Sequence, residues 1–354
     1  MRGETGMAYL ADAASGIWVL GETRANGMLS GAVFELSAKA VELSAALAEV
    51  TGEKESVSVI LLLDAENAGA VDLGEIGGYG PERIILVKRR HLPFDRGASG
   101  KILAHLIEEY RPKILLAPAM AFGRSVMPYA AALVGTGLTA DCTGLSIEER
   151  SGLLLQTRPA IGGNIMATIK TPDHMPQMAT VRPKTFAIPK AKPGCGVEVV
   201  EPNIPSELLK PTVETLSFQP FASGGENMQE QEVIVAGGKG LRRASGFELL
   251  SSLASLLGAA VGASRPVVEM KWIGYPHQIG LSGQTVSPKV YIAAGISGSV
   301  QHLAGMQTSG KIISINRDPD AQIFNVSDVA ICGDLYEVIP LLIDRIRKRK
   351  EGVK

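Results

Sequence analysis

The sequence has 354 residues, a formal net charge of -1 and only 5% aromatic residues. That length suits two domains on a prior of about 100–200 residues each. Balanced charge and scarce aromatics argue against a nucleic-acid surface of basic patches and base-stacking platforms, and no apolar run approaches the ~20 residues of a membrane span.

Ile17-Trp18-Val19-Leu20 is a short apolar strand ending at Gly21-Glu22. A helical pattern follows from Ala32 to Val50, with Leu36, Ala40, Leu43 and Leu47 on one stripe. Val57 to Leu63, Ile84 to Val87 and Lys113 to Ala117 are apolar runs of the kind that sit in a sheet buried on both faces. Lys101 to Tyr110 between them is helical, so the alternation predicts a parallel sheet under helices. Phe122-Gly123-Arg124-Ser125 opens a further helix, as an anion site or as a plain helix start. Thr139 to Thr143, Thr157 to Asn164, a strand at Ile165 to Ile169, and Pro176 to Pro183 then alternate loop-like and strand-like pieces.

From Pro189 to Gln231 recurrent prolines and the Ser223-Gly224-Gly225 tip break the pattern, with short strands expected at Val197 to Val200 and Val213 to Phe218. The expected division is an N-terminal α/β domain over 1–190, a linker over 191–231 able to bend, and a second domain over 232–354.

The second half repeats one unit: apolar strand, polar or glycine-rich loop, helix. Val233 to Ala236 meets Gly237-Gly238-Lys239-Gly240 and a helix from Phe247 to Leu257. Ala259 to Ala263 meets Ser264-Arg265-Pro266, an arginine set between a serine and a proline. Then comes a loop rich in hydrogen-bonding groups, His277 to Thr285. Val290 to Ala294 meets Gly295-Ile296-Ser297-Gly298-Ser299-Val300-Gln301-His302, with a helix-capable stretch from Ser299 to Met306. Ile312 to Ile315 meets Asn316-Arg317-Asp318-Pro319, and Val329 to Ile331 meets Cys332-Gly333-Asp334 before a helix from Leu335 to Arg347. In an open parallel sheet such loops gather at one edge, where ligands bind. The strand, the glycine turn and the free N–H groups of a helix start suit an anionic cofactor. Ser297, Gln301 and His302 suggest that a polar heterocycle is read there.

The three cysteines and five histidines are scattered without metal-ligand spacing, so no metal site is indicated and buried free thiols are expected. The start, Met1-Arg2-Gly3-Glu4-Thr5, has an early acid and no long apolar segment, so a cytoplasmic protein is expected.

The ordered set Gln278-Ile279-Gly280 through Pro288, Tyr291-Ile292-Ala293, Gly295 through Met306, and Ile315-Asn316 to Asp334 resembles the alpha subunit of the electron-transfer flavoproteins, the FixB-like group. The N-terminal half resembles it at Thr139 to Thr143, Arg158 to Asn164 and Pro176 to Pro183. The resemblance implies two α/β domains, each with a parallel sheet, the C-terminal one a Rossmann-like domain binding FAD. It implies a carrier subunit, not a stand-alone enzyme. A beta subunit would be its partner, with a dehydrogenase of the acyl-CoA type or a quinone reductase as redox partner. The assembly is either a simple carrier or a bifurcating complex fed by NADH and ferredoxin.

Cofactor contacts are implied for Lys239, Ser264, Arg265, Gln278, Ile279, Gly280, Leu281, Ser282, Gly295, Ser297, Gly298, Ser299, Val300, Gln301, His302, Asn316, Asp334 and Leu335. Of these, Arg265 is expected against the ring, Ser282 near its N5, His302 near its pyrimidine end, and Asn316 and Asp334 on the adenosine. Lys239 stands where the family has arginine, which keeps the charge but loses the planar fork. Leu281-Ser282 stands where many members have Gln-Thr. A nicotinamide-dependent oxidoreductase and a non-redox nucleotide-binding subunit are the rival readings. The first lacks a Gly-x-Gly-x-x-Gly with an acid about 20 residues on.

Overall fold

The structure, a computed structural model, describes residues 14–24, 27–160, 165–217 and 228–352. The chain divides into two compact units, Met1–Pro159 with Met166–Gly225, and Ala160–Ile165 with Glu226–Lys354. Phe218, the Ser223-Gly224-Gly225 tip and Ile161 to Asn164 lie outside the described residues.

The first unit runs β1 (Ile17–Leu20), α1 (Gly31–Thr51), β2 (Val57–Leu63), α2 (Leu73–Gly77), β3 (Arg83–Lys88), α3 (Arg96–Tyr110), β4 (Ile114–Pro118), α4 (Gly123–Val134), β5 (Leu138–Cys142), β6 (Gly144–Ile147), β7 (Leu154–Pro159), β8 (Met166–Ile169), β9 (Gln177–Val181), β10 (Glu198–Val200) and α5 (Ser206–Leu209). Seven strands form one parallel sheet in the order β10-β3-β2-β1-β4-β9-β5. Successive residues alternate faces, as the strand period requires. Ile17, Val19, Val57, Val59, Ile84 and Leu86 pack with Leu36, Ala40 and Leu43 of α1. Trp18, Leu20, Ile60, Leu62, Ile85 and Val87 pack with Ile102, Leu106, Val126 and Ala130 of α3 and α4. Both faces are therefore apolar, which is why these strands read as unbroken hydrophobic runs.

Helix ends are fixed locally. The Ser30 hydroxyl accepts from Ala32 N at 3.2 Å at the start of α1, and Gly52, at φ 80°, ends it. Asp95 caps α3 by accepting from Ala98 N at 2.9 Å. It also pairs with Arg89 at 3.0 Å and accepts from Thr212 N at 2.8 Å. Burial raises the Asp95 pKa, but these bonds outweigh it and hold the carboxyl at about 2.

Residues 191–231, expected as a linker, include β10, an edge strand of the first sheet, and Thr212, which is tied to Asp95. No strand forms over the described part of Val213 to Phe218. This unit also contains a three-stranded antiparallel sheet, β6-β7-β8. Only Cys142 is a buried thiol, pushed up to about 12 by burial; Cys195 and Cys332 are exposed, correcting the expectation of three buried ones.

The second unit runs β11 (Val233–Gly237), α6 (Gly246–Leu257), β12 (Ala260–Ala263), α7 (Arg265–Glu269), β13 (Val290–Ala294), α8 (Val300–Leu303), β14 (Lys311–Asn316), β15 (Val329–Cys332) and α9 (Leu335–Lys350). Its sheet is wholly parallel, in the order β12-β11-β13-β14-β15. One face packs against α6 and α9 through Leu250, Leu253, Ile339 and Ile343. Among the described residues no long helix lies over the other face. Ile234, Ala236, Tyr291, Ala293 and Ile312 are covered by Ile279, Val286, Ile296, Met306 and Ile323, which come from the loops. In this unit the loops at the sheet edge double as the lid of a core. Among the described residues no helix is long and apolar enough to cross a membrane.

Candidate functional site

The strand order places β11 and β13 side by side, with β12 beyond β11 and β14 beyond β13. The chain reverses its direction of growth there, and the crevice outside the strand ends at such a switch point is where open α/β sheets take ligands. Two glycine turns meet in it. Gly238 N donates to Ala294 O at 3.0 Å and Gly240 N to Gly295 O at 2.9 Å. A Cβ on Gly240 would lie 2.6 Å from the Gly295 Cα, so the two backbones touch with no room for a side chain. Gly298 has φ +86°, and a Cβ there would lie 2.3 Å from Ile323 N. Only glycine fits, and Ile323 N donates to Ser297 O at 3.0 Å to close the turn.

Beyond the turn the chain enters α8. The backbone N–H groups of Ser299, Val300 and Gln301 find no acceptor among the described residues. Ser297, Ser299, Val300 and Gln301 are all exposed, and Lys239 is exposed on the neighbouring turn. Open N–H groups flanked by hydroxyls and a cation make a cradle for a phosphate.

The loop after β12 locks onto both turns. Ser264 is buried, and its N donates to Gly237 O at 3.0 Å. Arg265 opens α7 ahead of Pro266 and is exposed, its Nε donating to Glu269 Oε1 at 2.7 Å. Ile279 N donates to Ala263 O at 2.9 Å, which makes Gln278-Ile279 a short extension beside β12. The buried Gln278 amide donates to Ser282 O at 2.9 Å and to Ser282 Oγ at 3.0 Å. Because that hydroxyl accepts from inside, its own hydrogen is left to donate outward. Leu281 N donates to Gln301 O at 2.9 Å while its side chain stands 59% exposed. Gly280 and Gly305 approach so closely that a Cβ on Gly305 would lie 2.5 Å from the Gly280 Cα.

His302 faces inward. Its ring is buried, with Nδ1 3.1 Å from Ile279 O and Nε2 3.0 Å from the Tyr291 hydroxyl. A carbonyl only accepts, so Nδ1 carries the proton and Nε2 accepts from Tyr291. Burial lowers the His302 pKa to about 4 and pushes the Tyr291 hydroxyl upward. The ring is neutral, and both nitrogens brace the protein itself.

Asn316 and Asp334 also brace. Asn316 Nδ2 donates to Ile296 O at 2.9 Å, and its Oδ1 accepts from Asp318 N at 3.1 Å. Asp334 caps α9 by accepting from Tyr336 N at 3.0 Å, and its other oxygen pairs with Arg317. Leu335 is buried in the core. The structure thus gathers the eighteen expected residues on one sheet edge, but at three depths. Lys239, Arg265, Leu281, Ser282, Ser297, Ser299, Val300 and Gln301 are exposed, Ser264, Gln278, Ile279, Gly280, Gly298, His302 and Leu335 are buried, and Gly295, Asn316 and Asp334 lie half-buried between them.

Sequence reasoning missed Tyr291 and Tyr336, whose hydroxyls hold His302 and, at 2.6 Å, Leu241 O. A tyrosine inside an apolar strand was the available signal for the first, since a buried hydroxyl needs a partner. In the first unit, Arg124 is paired with Asp141 at 3.1 Å. Glu22 occupies the start of α4, accepting from Phe122 N at 2.9 Å and Gly123 N at 3.2 Å. Among the described residues no group of three or more His, Cys, Asp or Glu is placed to hold a metal ion.

Two family models match the chain. Residues 17–206 match the electron transfer flavoprotein domain, and residues 227–307 match the electron transfer flavoprotein FAD-binding domain. An electron transfer flavoprotein subunit alpha of Thermoanaerobacterium thermosaccharolyticum is 41% identical over 94% of this chain and 98% of its own length. Protein FixB of Clostridium saccharobutylicum is 39% identical over 94% and 96%. Subunit LctC of a lactate dehydrogenase (NAD(+), ferredoxin) of Acetobacterium woodii is 38% identical over 90% of this chain and 74% of its own length.

Proposed function

The chain belongs to the electron transfer flavoprotein family, as an alpha subunit with an FAD-binding domain, and we propose on that premise how its residues hold the cofactor and which partners it serves. FAD, when bound, supplies reversible electron uptake and release. The open N–H groups of Ser299 to Gln301 at the switch point carry the proposal, because they leave a run of backbone donors for an anion. They take the diphosphate, with Ser297 and Ser299 hydroxyls beside them and Lys239 adding charge.

Arg265, held at one end by Glu269, brings a cation to the ring and favours negative charge on it. Ser282, anchored by Gln278, donates its hydroxyl hydrogen to the ring edge. Leu281 adds an apolar surface where a hydrogen-bonding side chain is usual in the family, and so lowers the polarity around the ring. His302, Asn316 and Asp334 act from behind by holding the backbone of Ile279, Ile296 and the start of α9.

The alpha subunit works with a beta subunit and passes electrons to and from redox partners. The likeness to a subunit of an NAD(+)- and ferredoxin-dependent lactate dehydrogenase supports a dehydrogenase partner and a bifurcating assembly for this chain. The domain division proposed is 1–190, a connecting segment over 191–231, and 232–354. The test is FAD affinity of the co-purified complex with Ser297→Asp, which sets a like charge beside the diphosphate. We expect at least a tenfold rise in the FAD dissociation constant. An unchanged value would sink this placement.

A further inference from the structure

The first unit has a switch point of its own, between β1 and β4, and a cavity opens there. Its volume is about 420 Å³, within the ~300–1,000 Å³ range of small-molecule sites. Leu63, Val71, Pro93 and Phe94 give it apolar walls, and Glu22, Asp64, Arg24 and Arg96 give it charges.

Two buried carboxylates define what can enter. Glu22 fills the helix start of α4, where a phosphate would otherwise sit. It faces Arg96, whose guanidinium stacks 4.7 Å over the Phe122 ring. These two N–H groups are therefore taken and closed to a second anion. Asp64 stands at the end of β2, the place from which α/β nucleotide folds hold ribose hydroxyls. One of its oxygens accepts from Glu66 N at 3.1 Å, and the other has His91 Nδ1 at 3.5 Å. A carboxylate oxygen accepts more than one bond, so Asp64 has capacity for a pair of hydroxyls. Phe94, 47% exposed, stands at the mouth as a flat apolar surface for a heterocycle.

We propose that this cavity is a second ligand site, separate from the FAD-binding domain, for a nucleoside-like molecule: a flat heterocycle carrying a vicinal diol, with no phosphate on the helix start. Asp64 accepts from the diol, and Phe94 lies against the heterocycle. Glu22 selects against the phosphorylated form by holding the two N–H groups a phosphate would need.

The test uses the FAD-loaded chain in complex with its partner subunit, with adenosine and adenosine 5′-monophosphate as probes in equilibrium dialysis. The difference between the native complex and the variants Asp64→Asn and Phe94→Ala isolates this cavity from any nucleotide site elsewhere. The expected result is an adenosine-binding component that weakens about tenfold or more in each variant, while flavin content stays unchanged. In that component the monophosphate should bind at least tenfold more weakly than adenosine. Phe94→Ala changes an exposed side chain and carries the test if Asp64→Asn fails to fold. Adenosine binding that neither variant alters, no binding at millimolar adenosine, or a monophosphate bound as tightly in the variant-sensitive component would each overturn the proposal. Because flavin content is read in the same samples, such a failure is distinct from a failure of the FAD assignment.

Discussion

Both units end parallel strands on helix starts at a switch point, yet the two starts are finished differently. In the first unit the Glu22 carboxylate is seated on Phe122 N and Gly123 N. In the second, Ser299, Val300 and Gln301 keep open N–H groups. The architecture is the same, so the sheet alone does not decide which edge takes a diphosphate. A single acidic side chain, sent back onto the helix from the neighbouring strand end, is enough to close one of them. The second unit also spends its loops on its own core, since Ile279, Ile296 and Ile323 cover the sheet face that α1 or α3 would cover in the first.

The sharpest way to break the contrast is Gly298→Val. A Cβ 2.3 Å from Ile323 N at φ +86° cannot be accommodated without moving backbone. We expect flavin content to vanish and the second unit to lose about 3–4 kcal/mol, with the first unaffected, as read by flavin absorbance and unit-resolved hydrogen exchange. Next, Glu22→Ala strips the acceptor from two buried amides and the carboxylate from Arg96. The first unit should lose about 3 kcal/mol while flavin content holds, checked by thermal unfolding of the complex.

Acid should separate the units in opposite senses. His302 has its folded pKa depressed to about 4 by burial, so its contribution is present above about 6.5 and lost as pH falls through 4. Glu35 accepts from Lys184 N and Phe186 N, both at 2.8 Å, but burial raises its pKa to about 7. A group raised in the folded state stabilises below its unfolded value near 4.5 and loses that contribution as pH rises through 7. Between pH 7 and 4.5 the second unit should lose roughly 2–3 kcal/mol and the first should gain a similar amount, so that the two move apart by about 5 kcal/mol. His302→Gln and Glu35→Gln should each remove its share, measured by hydrogen exchange across that range. The smallest expected effect is Lys239→Ala. It should weaken FAD binding two- to fivefold, with a salt dependence and no change in stability, because the charge is exposed and screened.

The strands were legible because both faces of the two parallel sheets are apolar. Val57 to Leu63 could be nothing but a buried strand, and Leu36, Ala40, Leu43 and Leu47 are each no more than 1% exposed. Pairing was less legible. Arg83 lies opposite Glu198 across the β3–β10 ladder, a partner that no local pattern announces. At the sheet edge, the glycines marked the loops that meet because each is required by a close backbone approach. Side-chain direction was hidden. A histidine beside a glycine turn looks like a ligand contact until Tyr291 and Ile279 are seen on its two nitrogens. Glu22 reads as an ordinary strand end, nothing in the sequence marks Asp64, and only the cavity they line gives them a further meaning.

The back-to-back glycines at 238, 240, 280, 295, 298 and 305 also set how such a subunit can change over time. No side chain can be added at the joints without displacing backbone. Inherited variation, or a designer, is left with the outward positions, Leu281, Val300 and Gln301. There a substitution alters the exposed surface of the sheet edge while the frame stays put. A family built this way can drift in potential and partner through a few surface letters and still keep one cofactor.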